Sequence, residues 1–290
     1  MQPTSFEPNH FQSFQKSLNR PDSIEFLREG LIGEGAMVPG PNGPNALIYA
    51  DYVASGRALR QIETFMQDEI LPFYANSHTE ASFCGQMMTR LRQQARDIIR
   101  NSVGGDERHD VIFTGSGATA GINRLVKLLG VAPSGLNGTD ILEQKTVILI
   151  GPYEHHSNIL PWREAGAKVV EIPECEEGGP DIDALEDALL SHADYRIIGA
   201  FSAMSNVTGI VTDVKKITRL LKAHDAISIW DFAGGAPYLQ IDMAGGTDAA
   251  IDAVVISSHK FIGGPGASGV LVLRRQLAVS DSPSLSLIHI

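Results

Sequence analysis

Cysteine is scarce in this chain: Cys84 and Cys175 are the two in 290 residues. Two thiols build no disulfide framework, which points away from small secreted scaffolds. Positive charge is also short. Lys and Arg total 23 against 34 Asp and Glu, a formal net charge of −11. That balance disfavours nucleic acid and anionic membrane as partners, since both demand clustered cations. No apolar run approaches membrane-spanning length. The opening Met1-Gln2-Pro3-Thr4 has no basic-then-apolar leader. Internal repeats and low-complexity tracts are lacking as well. What is present is 43% hydrophobic and 20% charged residues, enough for one large core or two smaller ones. A soluble, reduced, cytoplasmic protein is expected.

Residues 1–45, with Pro39-Gly40-Pro41-Asn42-Gly43-Pro44, read as an N-terminal arm and loop. From Ala46 strand-like and helical patterns alternate, and 46–275 reads as the large domain. Strand-like runs fall at 46–50, 110–114, 146–151, 168–172, 196–201, 226–231, 253–257 and 269–274. Ala58, Leu59, Ile62, Phe65, Met66 and Ile70 share one helical face, as do Met87, Met88, Leu91, Ala95, Ile98 and Ile99. Asp183 with Glu186 resembles a capping box. Thr212 or Asp213 caps a further helix that turns Val214, Ile217, Leu220 and Leu221 inward. Strands that are apolar throughout and alternate with helices predict an α/β fold, its mostly parallel sheet of seven or eight strands covered on both faces. Ligands gather at the carboxyl ends of such strands. Every motif below follows a strand.

Ser257-Ser258-His259-Lys260 stands between the apolar run ending at Ile256 and Gly263-Gly264-Pro265-Gly266. A lysine amine attacks carbonyl carbon only when neutral, and a partly desolvated, electropositive pocket favours that state. The chemical reading is a Schiff-base lysine holding pyridoxal 5'-phosphate; the bland one is a solvated loop lysine. Thr114-Gly115-Ser116-Gly117-Ala118-Thr119 ends a strand and opens a helix. Free amides and the helix dipole there favour an anion, so the amides of Ala118 and Thr119 and the Thr119 hydroxyl make a candidate phosphate cradle. Gly115-x-Gly117-x-x-Ala120 also fits a dinucleotide fingerprint, although the strand at 146–151 lacks the acidic end that fingerprint wants. A plain structural turn is the third possibility.

Asp231 ends the run Ala226–Trp230, and a carboxylate at a buried strand end is costly unless paired. A pyridinium nitrogen is one natural partner, an adjacent turn amide another. Tyr153-Glu154-His155-His156-Ser157-Asn158 follows a further strand. An imidazole there can stack on a ring or move protons. Adjacent histidines do not converge readily on one ion, so no metal is expected. Asn206, in Ser205-Asn206-Val207-Thr208-Gly209, could donate to a phenolate oxygen or simply mark a turn.

These five segments resemble class V aminotransferase-type enzymes, in particular the cysteine desulfurase and selenocysteine lyase branch of fold type I, from Tyr49-Ala50-Asp51 to Leu273. The resemblance implies the large domain of a fold type I transferase, with Lys260 as the Schiff-base lysine and His155 stacked on the cofactor ring. Asp231 would pair with the pyridine nitrogen and Asn206 with the ring hydroxyl oxygen. Ala118, Thr119, Ser257 and His259 would hold the phosphate. A homodimer, an amino-acid substrate and a sulfur-acceptor protein are also implied. In one departure, desulfurases usually carry Gln three residues after the aspartate, and here Gly234 stands there. In another, the stretch given is expected to stop short of the family's C-terminal small domain, with its carboxylate-binding arginine and sulfur-accepting cysteine. Cys84, read as lying before a helix, and Cys175 are taken as structural.

Sulfur transfer or C–S cleavage is the first functional expectation, with transamination or epimerisation second. A non-catalytic fold type I dimer comes from a different class, and nicotinamide-dependent oxidation rests only on the glycine fingerprint. Residues 276–290 read as a non-native or disordered tail, because Leu285-Ser286-Leu287-Ile288-His289-Ile290 matches the translation of a sequencing-adapter end. The 290-residue chain alone is therefore expected to be inactive. Re-sequencing the locus should return a continuation without those six codons; finding them in place in the genome refutes this view of the tail.

Overall fold

The computed structural model describes residues 9–77, 81–131, 145–243 and 248–278. Helices α1 (His10–Leu18) and α2 (Ser23–Glu29) come first, in the stretch read as arm and loop. They are followed by a two-stranded ribbon of β1 (Met37–Val38) and β2 (Asn45–Ala46). The run 46–50 is therefore not a full strand. Ile48 is 89% exposed, and with no apolar face to bury, the segment continues as a loop. Helix α3 (Arg60–Phe65) runs into a π turn over Met66–Ile70, and α4 spans Phe83–Ser102. Ser82 caps α4 by accepting from Gly85 N, which puts Cys84 inside its first turn rather than ahead of it.

Then come β3 (His109–Gly115), α5 (Gly117–Leu128), β4 (Thr146–Ile150), α6 (Leu160–Glu164), β5 (Lys168–Glu171), α7 (Ile182–Ser191), β6 (Arg196–Ser202), α8 (Val214–Ala223), β7 (Ile227–Asp231), β8 (Ala253–Ile256) and β9 (Gly269–Arg274). Seven strands form one sheet in the order β3-β9-β8-β7-β6-β4-β5. Pairing is parallel from β5 to β8, while β9 runs antiparallel to both β8 and β3. The strand periodicity of two divides the core. Val147, Leu149, Phe201, Trp230 and Val254 pack on the side of α7 and α8, whereas Ile148, Ile150, Ala200, Ile229 and Val255 pack on the side of α5 and α6. Helices thus cover both faces.

One cap differs from the sequence reading, and the α8 cap is one of the two residues it offered. Asp181, not Asp183, caps α7: its backbone is extended and its side chain accepts from Ala184 N at 3.0 Å. Asp213 caps α8 by accepting from Lys216 N, which frees the Thr212 hydroxyl to donate to Ser202 O. Of the tail read at 276–290, residues 279–290 lie outside the described residues, while Gln276 and Leu277 belong to a 3-10 turn, Arg275–Leu277. At the opposite end of the sheet from the strand carboxyl ends, buried Asp252 accepts from Ser228 N at 2.8 Å and pairs with Lys222 and with Arg274 (3.3 Å). Replacing Asp252 with Ala strands two cations and an amide, and should cost about 3 kcal/mol. Urea unfolding of the variant against the wild type measures this.

Candidate active site

Because β3 and the parallel strands β4, β6, β7 and β8 point the same way, the segments that leave them open onto one edge of the sheet. A cavity of about 450 Å³ lies there. Its lining includes Ala118, Thr119, His155, Asn206, Asp231, Ser257, His259 and Lys260, all eight residues singled out in the sequence. A larger groove, about 670 Å³ between α1, α2 and α3, is lined by Phe14, Phe26 and Phe65 and holds no lysine.

Lys260 closes a single 3-10 turn after β8, with its amide donating to Ser257 O at 3.0 Å. Burial lowers the pKa of its ammonium, while the negative charges of Asp231 and Asp51 oppose that shift. The half-buried ammonium thus gives up its proton more readily than an exposed lysine does. Asp231 is 5% exposed. Burial raises its pKa, against the pull of the Ala233 amide, Lys260 and His155. Among the described residues, its carboxylate accepts one hydrogen bond, from Ala233 N at 2.8 Å. A carboxylate so enclosed has capacity left for a cationic or protonated partner in the cavity.

The turn from β3 into α5 depends on Gly117. Its φ is +63°, and a Cβ there would stand 2.8 Å from His259 Cε1 and 3.0 Å from Ser257 Oγ. Ser257 Oγ accepts from Ala118 N at 2.9 Å. Of the two amides expected in the cradle, Ala118 is thus already engaged by a cavity hydroxyl. The exposed Thr119, in the first turn of a 12-residue helix, also lines the cavity. A second close approach brings in Asp51, Val53 and Ala54. Gly56 N donates to His259 O at 3.0 Å, and a Cβ on Gly56 would run into Phe261 O at 1.8 Å. The loop after β2 can lie against the lysine turn only with glycine at that point.

His155 opens a short 3-10 turn, its Nδ1 accepting from Ser157 N at 3.2 Å. Beneath it is Glu154, which the sequence reading quoted only as a neighbour. Its carboxyl accepts from Ser202 N (2.7 Å), Ser202 Oγ (2.8 Å), Asn158 Nδ2 (2.5 Å) and Gly151 N (3.3 Å). Burial, with Asp231 nearby, pushes its pKa up to about 7 despite the Asn158 and Ser202 donors. Ser202, Met204 and Ser157 also line the cavity without having been singled out. Polar residues at strand ends were the available signal for Ser202, and nothing in the sequence marked Met204. Among the described residues no three His, Cys, Asp or Glu side chains gather as a possible metal site. No helix among them is long and apolar enough to cross a membrane.

An open α/β sheet of this strand order, with a lysine, a buried aspartate and a glycine-opened helix end at its carboxyl edge, is the large-domain architecture of fold type I. The aminotransferase class-V family profile matches residues 48–287, and the chain belongs to that family. A probable cysteine desulfurase from Halalkalibacterium halodurans is 29% identical over 229 residues, covering 78% of this chain and 52% of the relative. Another from Aeropyrum pernix is 29% identical over 250 residues, covering 84% and 56%. Among solved structures, an apo cysteine desulfurase from Thermococcus onnurineus matches with TM-score 0.69 and 23% identity, over 87% of this chain and 57% of that one. A cysteine desulfurase from Escherichia coli matches at TM-score 0.63 and 26% identity, over 79% and 54%. The chain spans about half the length of the curated relatives it matches.

Glu154 holds its proton more tightly when folded than its ordinary 4.5 implies. Stability should therefore fall as pH rises from about 4.5 through about 7, and the raised Asp231 acts in the same direction. Glu154→Gln removes one contributor and should flatten that slope, by at most about 3 kcal/mol. Urea midpoints at about pH 5 and pH 8 for both proteins measure it; equal slopes contradict the assignment.

Proposed function

We propose that the protein is a pyridoxal 5'-phosphate-dependent enzyme acting on an amino acid, with C–S cleavage and sulfur transfer of the cysteine desulfurase kind as its reaction. The observation that carries this reading is the meeting of Lys260, Asp231 and the Gly117 end of α5 in one cavity. The cavity suits the cofactor on its own terms: a buried carboxylate with one donor, a half-buried amine and a helix end kept free of side-chain bulk.

In this reading Thr119, Ser257 and His259 hold the phosphate, and the Ala118 amide orders the Ser257 hydroxyl that shares in the grip. Asp231 keeps a proton on the ring nitrogen. His155 would stand against the ring, and Asn206 would serve its hydroxyl oxygen. When bound, the cofactor supplies the electron sink for bond-breaking next to the substrate amine. Lys260 would hold the cofactor through its amine and would serve as the proton carrier at Nζ. Its lowered pKa suits both tasks.

The reaction assignment leans on the relatives, which are described as probable cysteine desulfurases. Neither cysteine lines the cavity: Cys84 sits in α4, and Cys175 Sγ donates to Gly178 O at 3.1 Å. A sulfur-accepting thiol would then belong to another segment or to a separate acceptor protein. A homodimer in the cytoplasm completes the reading. Transamination or epimerisation is the second reading, and Gly234 favours it. No amide projects into the cavity at that position, although a Cβ there would meet nothing closer than Met204 Cε at 3.5 Å. Space did not demand the glycine.

In the full-length protein, Lys260→Ala should abolish the visible absorbance of lysine-bound cofactor and cut turnover of L-cysteine by at least about 10²-fold. Wild-type protein that takes up no pyridoxal 5'-phosphate rejects the proposal.

A further inference from the structure

We propose that Glu154 is a positioning residue, whose carboxylate sets how the His155 ring and the Asp231 carboxylate stand relative to each other. The inference deepens the function proposed above and rests on it for the roles of those two residues.

The parallel ladder between β4 and β6 ends at the pair Ile150 and Ala200. Beyond it the two chains separate, and Glu154 takes over the pairing with its side chain. One oxygen accepts backbone N–H groups from both sides, Gly151 at 3.3 Å and Ser202 at 2.7 Å. The other accepts the Ser202 hydroxyl and the Asn158 amide. Asn158 is fully buried and doubly fixed, donating to Ala200 O at 3.2 Å and accepting from Trp162 Nε1 at 3.2 Å. Glu154 is covalently next to His155. Ser202 is the register partner of Asp231, and Ala203 N donates to Asp231 O at 3.0 Å. A path thus runs from the backbone of His155, through the adjoining Glu154 carboxylate and Ser202, to the strand end that bears the aspartate.

All four groups that reach Glu154 can donate, so the carboxylate, in the ionised form it takes above about pH 7, satisfies every one of them. Gln at this position keeps one acceptor oxygen but turns an N–H₂ toward Asn158 Nδ2, which cannot accept. The Ser202 hydroxyl can reverse; the Asn158 amide is held by Trp162. The variant should therefore loosen the His155 loop while leaving most of the packing intact.

The test uses the full-length protein. Glu154→Gln should lower kcat for L-cysteine about 10- to 100-fold with KM changed less than about threefold, the pattern of displaced groups rather than lost binding. Adding His155→Ala to Glu154→Gln should cost less than about threefold more, since both changes act on one ring. Glu154→Asp, which retains a carboxylate, should fall between. In the apo protein, the His155 imidazole resonances should shift or broaden in Glu154→Gln while those of His224 do not. Wild-type kcat in Glu154→Gln, or full additivity with His155→Ala, overturns the proposal. Should Glu154→Gln fail to fold, Ser202→Ala removes one of the four donors and must show the same direction of effect on kcat and on the His155 resonances. A wild type that takes up no cofactor would defeat the functional reading, whereas the apo resonances would still decide whether Glu154 holds His155.

Discussion

Keeping the Asp231 carboxylate out of water is the constraint on which the surrounding structure turns. A carboxylate with one backbone donor, at the end of a strand fully covered on both faces, is expensive wherever it occurs. The neighbours bear that cost together. The positive fields of Lys260 and His155 lower it, and the Asp231 charge in turn adds to the raised pKa of Glu154. Such a group persists when something in the cavity repays it. Electrostatics here is a property of the site, not of any one residue.

The mechanical side of the same problem is solved with very small residues. Gly117 holds a left-handed backbone where a side chain would strike His259, and Gly56 lets one loop lie against the carbonyl of Phe261. Both let main chain approach main chain around a space that must stay open. Gly234 is different. A Cβ there would meet nothing closer than Met204 Cε at 3.5 Å, so packing does not require the glycine.

Much of this was legible in advance. The seven strands fall where runs of Val, Ile and Leu alternate with amphipathic helices, because a sheet covered on both faces has no reason to alternate polarity within a strand. Lys260, Asp231 and Thr119 could be singled out because each follows such a run. Glu154 could not. Its importance comes from Ser202 and Asn158, which sit 48 and 4 residues away and meet it only after β4 and β6 pair. Asp51 likewise reaches the cavity through a loop docked on residues about two hundred positions later. The helices at 10–18 and 23–29 were hidden by polar composition, and the capping aspartate of α7 lay two residues before the one proposed, a shift local pattern does not resolve.

Chain composition and periodicity by themselves determined the layered α/β architecture and the set of strand ends on which chemistry could sit, since burial on both faces and small-residue turns are written in local sequence. Only the tertiary structure decided which strand ends are neighbours. It put an amine, an aspartate and a helix end around one cavity, and it gave the carboxyl of Glu154 four donors from Gly151, Asn158 and Ser202. Those contacts join residues far apart in the chain, and no local pattern carries the energy of a pairing that exists only once the sheet has closed.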